Sequence, residues 1–376
     1  MMHQKKGLVY VWPLCTRIIH WMIASSFLIA FFTAFFHHYF SVHLTFGYIF
    51  GITVCFRLVW GFIGPDYATF GMFTLSFTAL KFYFTEKVRN RWRKIHPGHN
   101  AASSWFTLIV LGLGLMITLS GIVLYGVQEG SGLLASWNKA YYTMSFWLEP
   151  LHYYLSYLLL LWAVIHILGV LIEQLYHRTN MVFAMISGYK RCEGDDTSIS
   201  FWQSTLTYSV VLLCSYVFYT LTLSHDSMLT QRSFEKREYH LENSSFDEKC
   251  SKCHKNYPPF MLPKASWEKL MDGLSNHFGE EILEHNISKS ERASIKEYLM
   301  THSAETSTHK IAFKTLESLG EMRPLSITKS PYWREAHAHL DASLFKHPLV
   351  KDRSNCFACH RNFEYGLFDN SYIHLP

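Results

Sequence analysis

Five stretches of the chain, roughly 14–36, 43–63, 103–126, 150–174 and 201–224, are long and apolar enough to cross a bilayer, whose hydrocarbon core takes about 20 helical residues. In lipid every backbone N–H and C=O must be satisfied within the segment, so each stretch is expected to be a helix. The bulk composition agrees: 49% hydrophobic and 17% charged residues is a low charge content for a water-soluble protein. The charges are also unevenly placed. Residues 1–224 hold 14 Lys+Arg and 8 Asp+Glu, and residues 225–376 hold 20 and 21. The basic excess belongs to the membrane half, which argues against a nucleic-acid partner. The first apolar run has no small-residue cleavage site after it and reads as a span, not a cleaved signal.

Orientation follows from the loops. The N-terminus, the 64–102 loop and the 175–200 loop hold 11 Lys+Arg, among them Lys87, Arg89, Arg91, Arg93 and Lys94, whereas the 37–42 and 127–149 loops hold only Lys139. The positive-inside rule places the N-terminus in the cytoplasm. Five crossings then carry the tail, from His225 onward, to the opposite side. Within the 64–102 loop, "YATFGMFTLSFTALKFYFTEKVRNRWRK" is apolar and then basic, the pattern of an interfacial helix.

Four of the eight cysteines, Cys15, Cys55, Cys192 and Cys214, lie in apolar spans or a basic loop and read as packing residues. The other four form "CSKCH" (Cys250, Cys253, His254) and "CFACH" (Cys356, Cys359, His360). C-x-x-C-H is the c-type haem attachment signature, in which two thiols bond the vinyl groups and the adjacent histidine ligates iron. Zinc would explain the thiols but does not require a histidine directly after each pair. Each c haem takes a second axial ligand, normally His or Met. The tail offers His277, His337, His339, Met261, Met271, Met300 and Met322.

Histidine inside a span is costly and points to function. His152 and His166 lie fourteen residues apart in the fourth span, about 21 Å along a helix axis. His20 in the first span matches His166 in depth, and His43 in the second matches His152. Two haems b stacked across one bilayer, each gripped by two of these histidines, fit that spacing. His37 and His38 are less regular alternatives for the outer site.

Two family resemblances accompany these motifs. Residues 8–190, through "VWPLCTRIIHW", "HLTFGYIFGITVCFRLVWGFIGP", "HPGHNAASSWF" and "LHYYLSYLLLLWAVIHILGV", resemble the bacterial cytochrome b561 family, which includes the b subunits of nickel–iron hydrogenases. That resemblance implies a four-helix core and haem ligation by His20, His43, His152 and His166. Where relatives tend to have GHNP followed by glycines, this chain has "GHNAASSW", so the role of His99 is left open. Arg17, Arg57 and His99, near the cytoplasmic face, are candidates for haem propionate contacts or for framing a quinone site. The tail, about 240–376, resembles the dihaem cytochrome c domain family through "LPKASWEKLMDGLSNHFG", "SERASIKEYL", "ITKSPYWREAH" and "NCFACHRNFEYGLFD". That resemblance implies His277 and His337 as the distal ligands, with His339 as the rival of the latter.

The expected fold is therefore all-α. A membrane helical bundle over residues 1–198 forms a four-helix dihaem b core. A fifth membrane helix over 199–224 connects it to a small, mostly helical periplasmic dihaem cytochrome c domain over 225–376. The expected cofactors are two non-covalent haems b and two covalent haems c. The expected function is electron transfer across a bacterial inner membrane between quinone and a periplasmic redox protein, as a carrier or a quinol:cytochrome c-type oxidoreductase. The alternatives are an electron-accepting b-type anchor of a periplasmic oxidoreductase such as a hydrogenase, and a superoxide-oxidising haem enzyme. No phosphate-binding loop or hydrolytic triad signature accompanies these motifs.

Overall fold

The computed structural model describes residues 6–88, 97–175, 179–224, 227–282, 287–368 and 373–375. The basic residues Arg89, Arg91, Arg93 and Lys94 lie outside the described residues, as do the side chains of Lys87 and His37. The chain parts into two compact units: Met1–Val123 with Phe146–Ser227, and Leu124–Ser145 with Met228–Pro376. It is mostly helical, and five helices are long and apolar enough to cross a membrane.

The first unit opens with strand β1 (Lys6–Tyr10) and helices α1 (Leu14–Thr33), α2 (Phe40–Ile63) and α3 (Phe77–Val88). Helix α4 (Ala101–Glu129) follows and continues into the second unit, where the short α5 (Asn138–Tyr141) lies. Back in the first unit come α6 (Ser145–Leu175), α7 (Met181–Ser187), strand β2 (Tyr189–Glu193) and α8 (Phe201–Tyr219). Helix α2 stops at Gly64, since the residue before Pro65 is pushed out of helical geometry. Helix α8 starts with a Ser200/Gln203 capping box, and Gln203 Nε2 also donates to the Ile63 carbonyl at 2.8 Å. Helices α2 and α4 approach closely at Gly51, where a Cβ would sit 2.4 Å from Thr118 Cγ2.

Seven residues are nearly two helical turns, so His152, Leu159 and His166 share one face of α6. Leu159 is 3% exposed and packs with Phe27, Phe50 and Ile117. On the opposite face Leu161 and Leu168 are each 54% exposed, as expected of side chains bound for lipid. The helical periodicity thus puts both histidines on the Leu159 face, His152 part-buried and His166 still exposed.

Among the described residues of the apolar-then-basic loop, Asp66–Ala68 and Phe70–Met72 are single 3-10 turns and Phe77–Val88 is α-helical, while residues 89–94 lie outside the described residues. The mostly helical fold also carries one two-stranded sheet, in which β1 pairs antiparallel with β2, Leu8 opposite Arg191. The β-branched and aromatic residues of "LVYV" (8–11) favour a strand there.

The second unit contains α9 (Tyr239–Glu242), α10 (Ser244–Cys250), α11 (Lys264–Asp272) and helices over Lys289–Thr301, Lys310–Leu319 and Pro331–Ala336. Asn243, Ser288 and Ser330 cap three of these through their side chains. One core gathers Phe246, Phe260, Trp267, Ile295, Leu299 and Phe363. Met261 and Met271 are buried in it, while Met322 is 47% exposed. The Leu124–Ser145 segment is built into this unit. Asn138, fully buried, donates from Nδ2 to the carbonyls of Val127 and Thr308 at 2.8 and 3.1 Å. Lys310 pairs with Glu129 at 2.5 Å, and Gly132 N–H donates to Gln231 O at 2.8 Å.

Candidate functional site: four histidine pairs

The sequence-predicted histidines meet in four pairs. In the first unit His20 of α1 faces His166 of α6 with ring centroids 6.4 Å apart, and His43 of α2 faces His152 of α6 at 6.2 Å. In the second unit His254 faces His277 at 6.4 Å, and His337 faces His360 at 6.3 Å. Each nitrogen of an imidazole lies about 1.15 Å from the ring centroid, and a metal–imidazole bond is about 2.0 Å, so two imidazoles on opposite sides of one metal have centroids about 6.3 Å apart. All four pairs match that span. Among the described residues no group of three or more His, Cys, Asp or Glu comes together as a metal site. Each pair would offer two imidazole donors to an iron whose remaining donors come from a porphyrin.

Neighbours fix which ring nitrogen is free. His43 Nδ1 lies 2.8 Å from Ala30 O, His254 Nδ1 2.8 Å from Lys255 O and His337 Nδ1 2.8 Å from Trp333 O. A carbonyl only accepts, so each Nδ1 carries the proton and Nε2 keeps its lone pair. His152 Nδ1 sits 3.0 Å from Ser120 Oγ, whose own proton goes to Ile117 O, which selects the same tautomer. At Gly121 a Cβ would come 3.0 Å from His152 Cε1, so glycine keeps room for the ring. Phe106 stacks on His166 at 4.6 Å, and Trp333 stacks on His337 at 4.3 Å.

His277 stands at the start of a tight turn. Its N–H donates to Glu280 O at 2.7 Å and its carbonyl accepts from Glu280 N–H at 3.2 Å. Phe278 and Gly279 both have positive φ, 54° and 100°, the pattern of a type I′ turn. Glycine suits that backbone and phenylalanine does not, so the turn holds strain beside His277.

Burial lowers the pKa of His277 and His337, and burial together with the nearby His337 brings His360 down to about 4. All three imidazoles are neutral at neutral pH, the form that ligates metal. Burial pushes the Cys250 and Cys356 thiols up to about 12, and also raises Cys359. The two C-x-x-C-H segments pack together: Tyr257 lies 5.2 Å from His254 and 5.4 Å from Phe363, and its hydroxyl donates to Ser354 O at 2.7 Å. Lys255 pairs with Glu364 at 2.6 Å.

The three remaining candidates differ from one another. Arg17 is occupied by backbone, its Nε donating to Trp12 O at 3.1 Å and its Nη1 to Ile186 O. Arg57 is 8% exposed; its Nη2 donates to Ala68 O at 3.2 Å, while Nη1 is buried with no hydrogen-bond partner. His99 has Nδ1 3.3 Å from Tyr67 O and lies against Phe73. Burial, then the charges of Arg57 and Lys190, hold it down to about 3. His38 packs on Tyr39 at 4.0 Å, and it is His43 that meets His152. The roles of Ser120, Gly121, Phe106 and Trp333 were not read from the sequence. Only the small Ser–Gly pair inside an apolar helix hinted at one.

Comparisons with known proteins agree with this division. Residues 11–188 match prokaryotic cytochrome b561, and residues 246–368 match dihaem cytochrome c. A probable Ni/Fe-hydrogenase B-type cytochrome subunit from Rhodobacter capsulatus is 25% identical over 224 residues, 51% of this chain and 85% of that protein. A diheme cytochrome c from Rhodobacter sphaeroides is 33% identical, covering 34% of this chain and 96% of that one, with a TM-score of 0.30. A diheme cytochrome type c from Shewanella baltica OS155 is 26% identical, covering 36% and 94%, with a TM-score of 0.29. These families imply haem b, haem c and electron transfer by haem in a multi-pass membrane protein. The chain belongs to the dihaem cytochrome c family through residues 246–368 and carries a prokaryotic cytochrome b561 region in residues 11–188.

Proposed function

We propose that this protein is a transmembrane electron conduit with four haems. Two haems b lie between His20 and His166 and between His43 and His152. Two haems c are attached at Cys250 and Cys253 with His254 and His277, and at Cys356 and Cys359 with His360 and His337. The observation that carries this reading is the shared 6.2–6.4 Å spacing of four histidine pairs. When bound, haem supplies reversible one-electron chemistry at iron.

The chain's residues ligate, orient and exclude water. Helix α6 gives one histidine to each membrane site, and the offset of about 21 Å spans most of a hydrocarbon core of about 30 Å. The basic loops favour a cytoplasmic N-terminus and a periplasmic C-terminal unit. The partners we propose are membrane quinone and a soluble periplasmic cytochrome or other redox protein. The hydrogenase-subunit relative supports a second reading, in which the protein serves as the electron-accepting b-type subunit of a separate periplasmic oxidoreductase.

Acid–acetone extraction followed by pyridine haemochrome spectra tests the haem count. Equal amounts of extractable b and covalent c haem are expected, and a ratio far from one to one would overturn the pairing. Reduction of the purified protein by added quinol, followed optically, then separates the two readings. Full reduction without a partner subunit favours the conduit.

A further inference from the structure

The two C-x-x-C-H sites differ in how their imidazole planes are turned. His254 and His277 lie close to parallel, 26° between planes, whereas His337 and His360 lie 70° apart, closer to perpendicular. Each orientation is held by packing. His337 donates from Nδ1 to Trp333 O at 2.8 Å and stacks on the Trp333 indole at 16°, which fixes the rotation of its ring. His254 has Nδ1 2.8 Å from Lys255 O and meets Tyr257 edge to face at 71°. The Tyr257 hydroxyl is in turn anchored on Ser354 O at 2.7 Å. The surroundings differ as well. Ser251, Lys252, Cys253, His254 and Lys255 are all exposed, whereas Cys356, Ala358, Cys359 and His360 are half-buried.

We propose that the two c haems are unequal, the His254/His277 haem having the lower potential and the His337/His360 haem the higher, so that an electron passes from the first to the second. The proposal rests on the haem reading given above. Low-spin ferric iron has one hole in its π-symmetry d orbitals, and an imidazole donates π density perpendicular to its own plane. Parallel imidazoles raise the same d orbital, split it from its partner and stabilise the ferric state. Perpendicular imidazoles raise one orbital each, leave the pair nearly degenerate and give the ferric state no such gain. Ferrous iron, with those orbitals filled, is indifferent to the angle. Burial acts in the same direction, because the more positive ferric haem is disfavoured where water is excluded. The step moves one electron from ferrous iron at the first site to ferric iron at the second, with no bond made or broken and no proton moved. Trp333 is a positioning residue, acting on the iron through the plane of His337.

The experiment uses the full-length purified protein. Electron paramagnetic resonance of the oxidised protein should show one c haem with a resolved three-line rhombic signal and the other with a single large-g feature. An optical redox titration in the c-haem α band should resolve two components. His277→Ala should remove the rhombic signal and displace the lower-potential component, and His337→Ala should remove the large-g feature and displace the higher one. Signals of the b haems persist in both variants and are thereby set apart. Trp333→Leu frees the His337 ring and should shift the large-g feature and the higher potential while the rhombic signal stays. Trp333→Phe keeps the stack and should hold both in place. Wild-type c-haem content reports that each variant has folded. The inference is overturned if both c haems give the same class of signal, if His337→Ala removes the rhombic one, or if the rhombic haem has the higher potential. A folded Trp333→Leu protein with an unmoved large-g feature would overturn the role of Trp333. Loss of no low-spin signal in either histidine variant would overturn the haem reading itself, and this inference with it.

Discussion

His337 faces His360 at 6.3 Å while its own Nδ1 is held on the Trp333 carbonyl at 2.8 Å. The ring is therefore positioned from behind, by the last turn of the Pro331–Ala336 helix and by the Trp333 indole stacked 4.3 Å away.

His337→Ala should leave both c haems attached, because the thioether bonds come from Cys356 and Cys359, but should convert one of them from low-spin to a form with an open or weakly held axial position. His339→Ala should leave the wild-type spectrum. Electron paramagnetic resonance of the ferric protein reads both. The reverse result would transfer the ligand role to His339.

In the membrane unit, His20→Ala and His166→Ala should each remove one b haem, and the same one. His43→Ala and His152→Ala should remove the other. Either double variant within a pair should lose no more haem than its single variants, while His20→Ala with His152→Ala should lose both. Haemochrome quantitation against the unchanged c haems gives the ratio. Loss of the same component in His20→Ala and His152→Ala would break the pairing seen at 6.4 and 6.2 Å.

Much of this arrangement was legible because helix geometry converts sequence offsets into distances and faces. Fourteen residues between His152 and His166 define both a depth difference and a shared face, and C-x-x-C-H names its own cofactor. What stayed hidden depends on contacts distant in sequence. Asn138 meets Thr308 across 170 residues, and no local pattern announces that the loop between two spans belongs to the second unit. Partners that are backbone carbonyls are equally silent. Arg17 gives its Nε and Nη1 to the Trp12 and Ile186 carbonyls, partners that any sequence supplies.

The Leu124–Ser145 segment should contribute measurably to the stability of the C-terminal unit. Asn138→Ala strands the buried carbonyl of Val127 and the part-buried carbonyl of Thr308 and should cost about 1–3 kcal/mol. Lys310→Met leaves the half-buried Glu129 without its cation and should be comparably destabilising. Thermal unfolding of the whole protein, followed by c-haem Soret dichroism, would show both as lower midpoints. Wild-type midpoints in both variants would mean that this segment is not part of the unit.

Phe278 adopts φ 54°, where a side chain costs about 1–2 kcal/mol that asparagine largely avoids. Its ring is 61% exposed, so little burial is lost on replacement. Phe278→Asn should therefore raise resistance to denaturant while leaving the low-spin spectrum associated with His277 intact. A drop in stability would show that the ring holds the turn by a contact worth more than the strain.

His309 lies between two phenylalanine rings, Phe234 at 3.5 Å and Phe260 at 4.2 Å. Burial first, and then the charge of Arg237, hold its pKa down to about 3 from 6.5. The unfolded chain takes up a proton near pH 6.5 that the folded unit refuses until about pH 3. Its contribution is therefore fully favourable above about pH 6.5 and is lost progressively as the pH falls toward 3. His309→Leu keeps an apolar filler between the two rings and removes the titration. The variant should lose less stability than the wild type between pH 7 and pH 4, as read by denaturant unfolding at each pH. Other histidines protonate over the same range, so the difference between the two pH slopes is the diagnostic quantity. Identical slopes would mean that His309 is already protonated in the fold and pairs with an anion instead of resting between the rings.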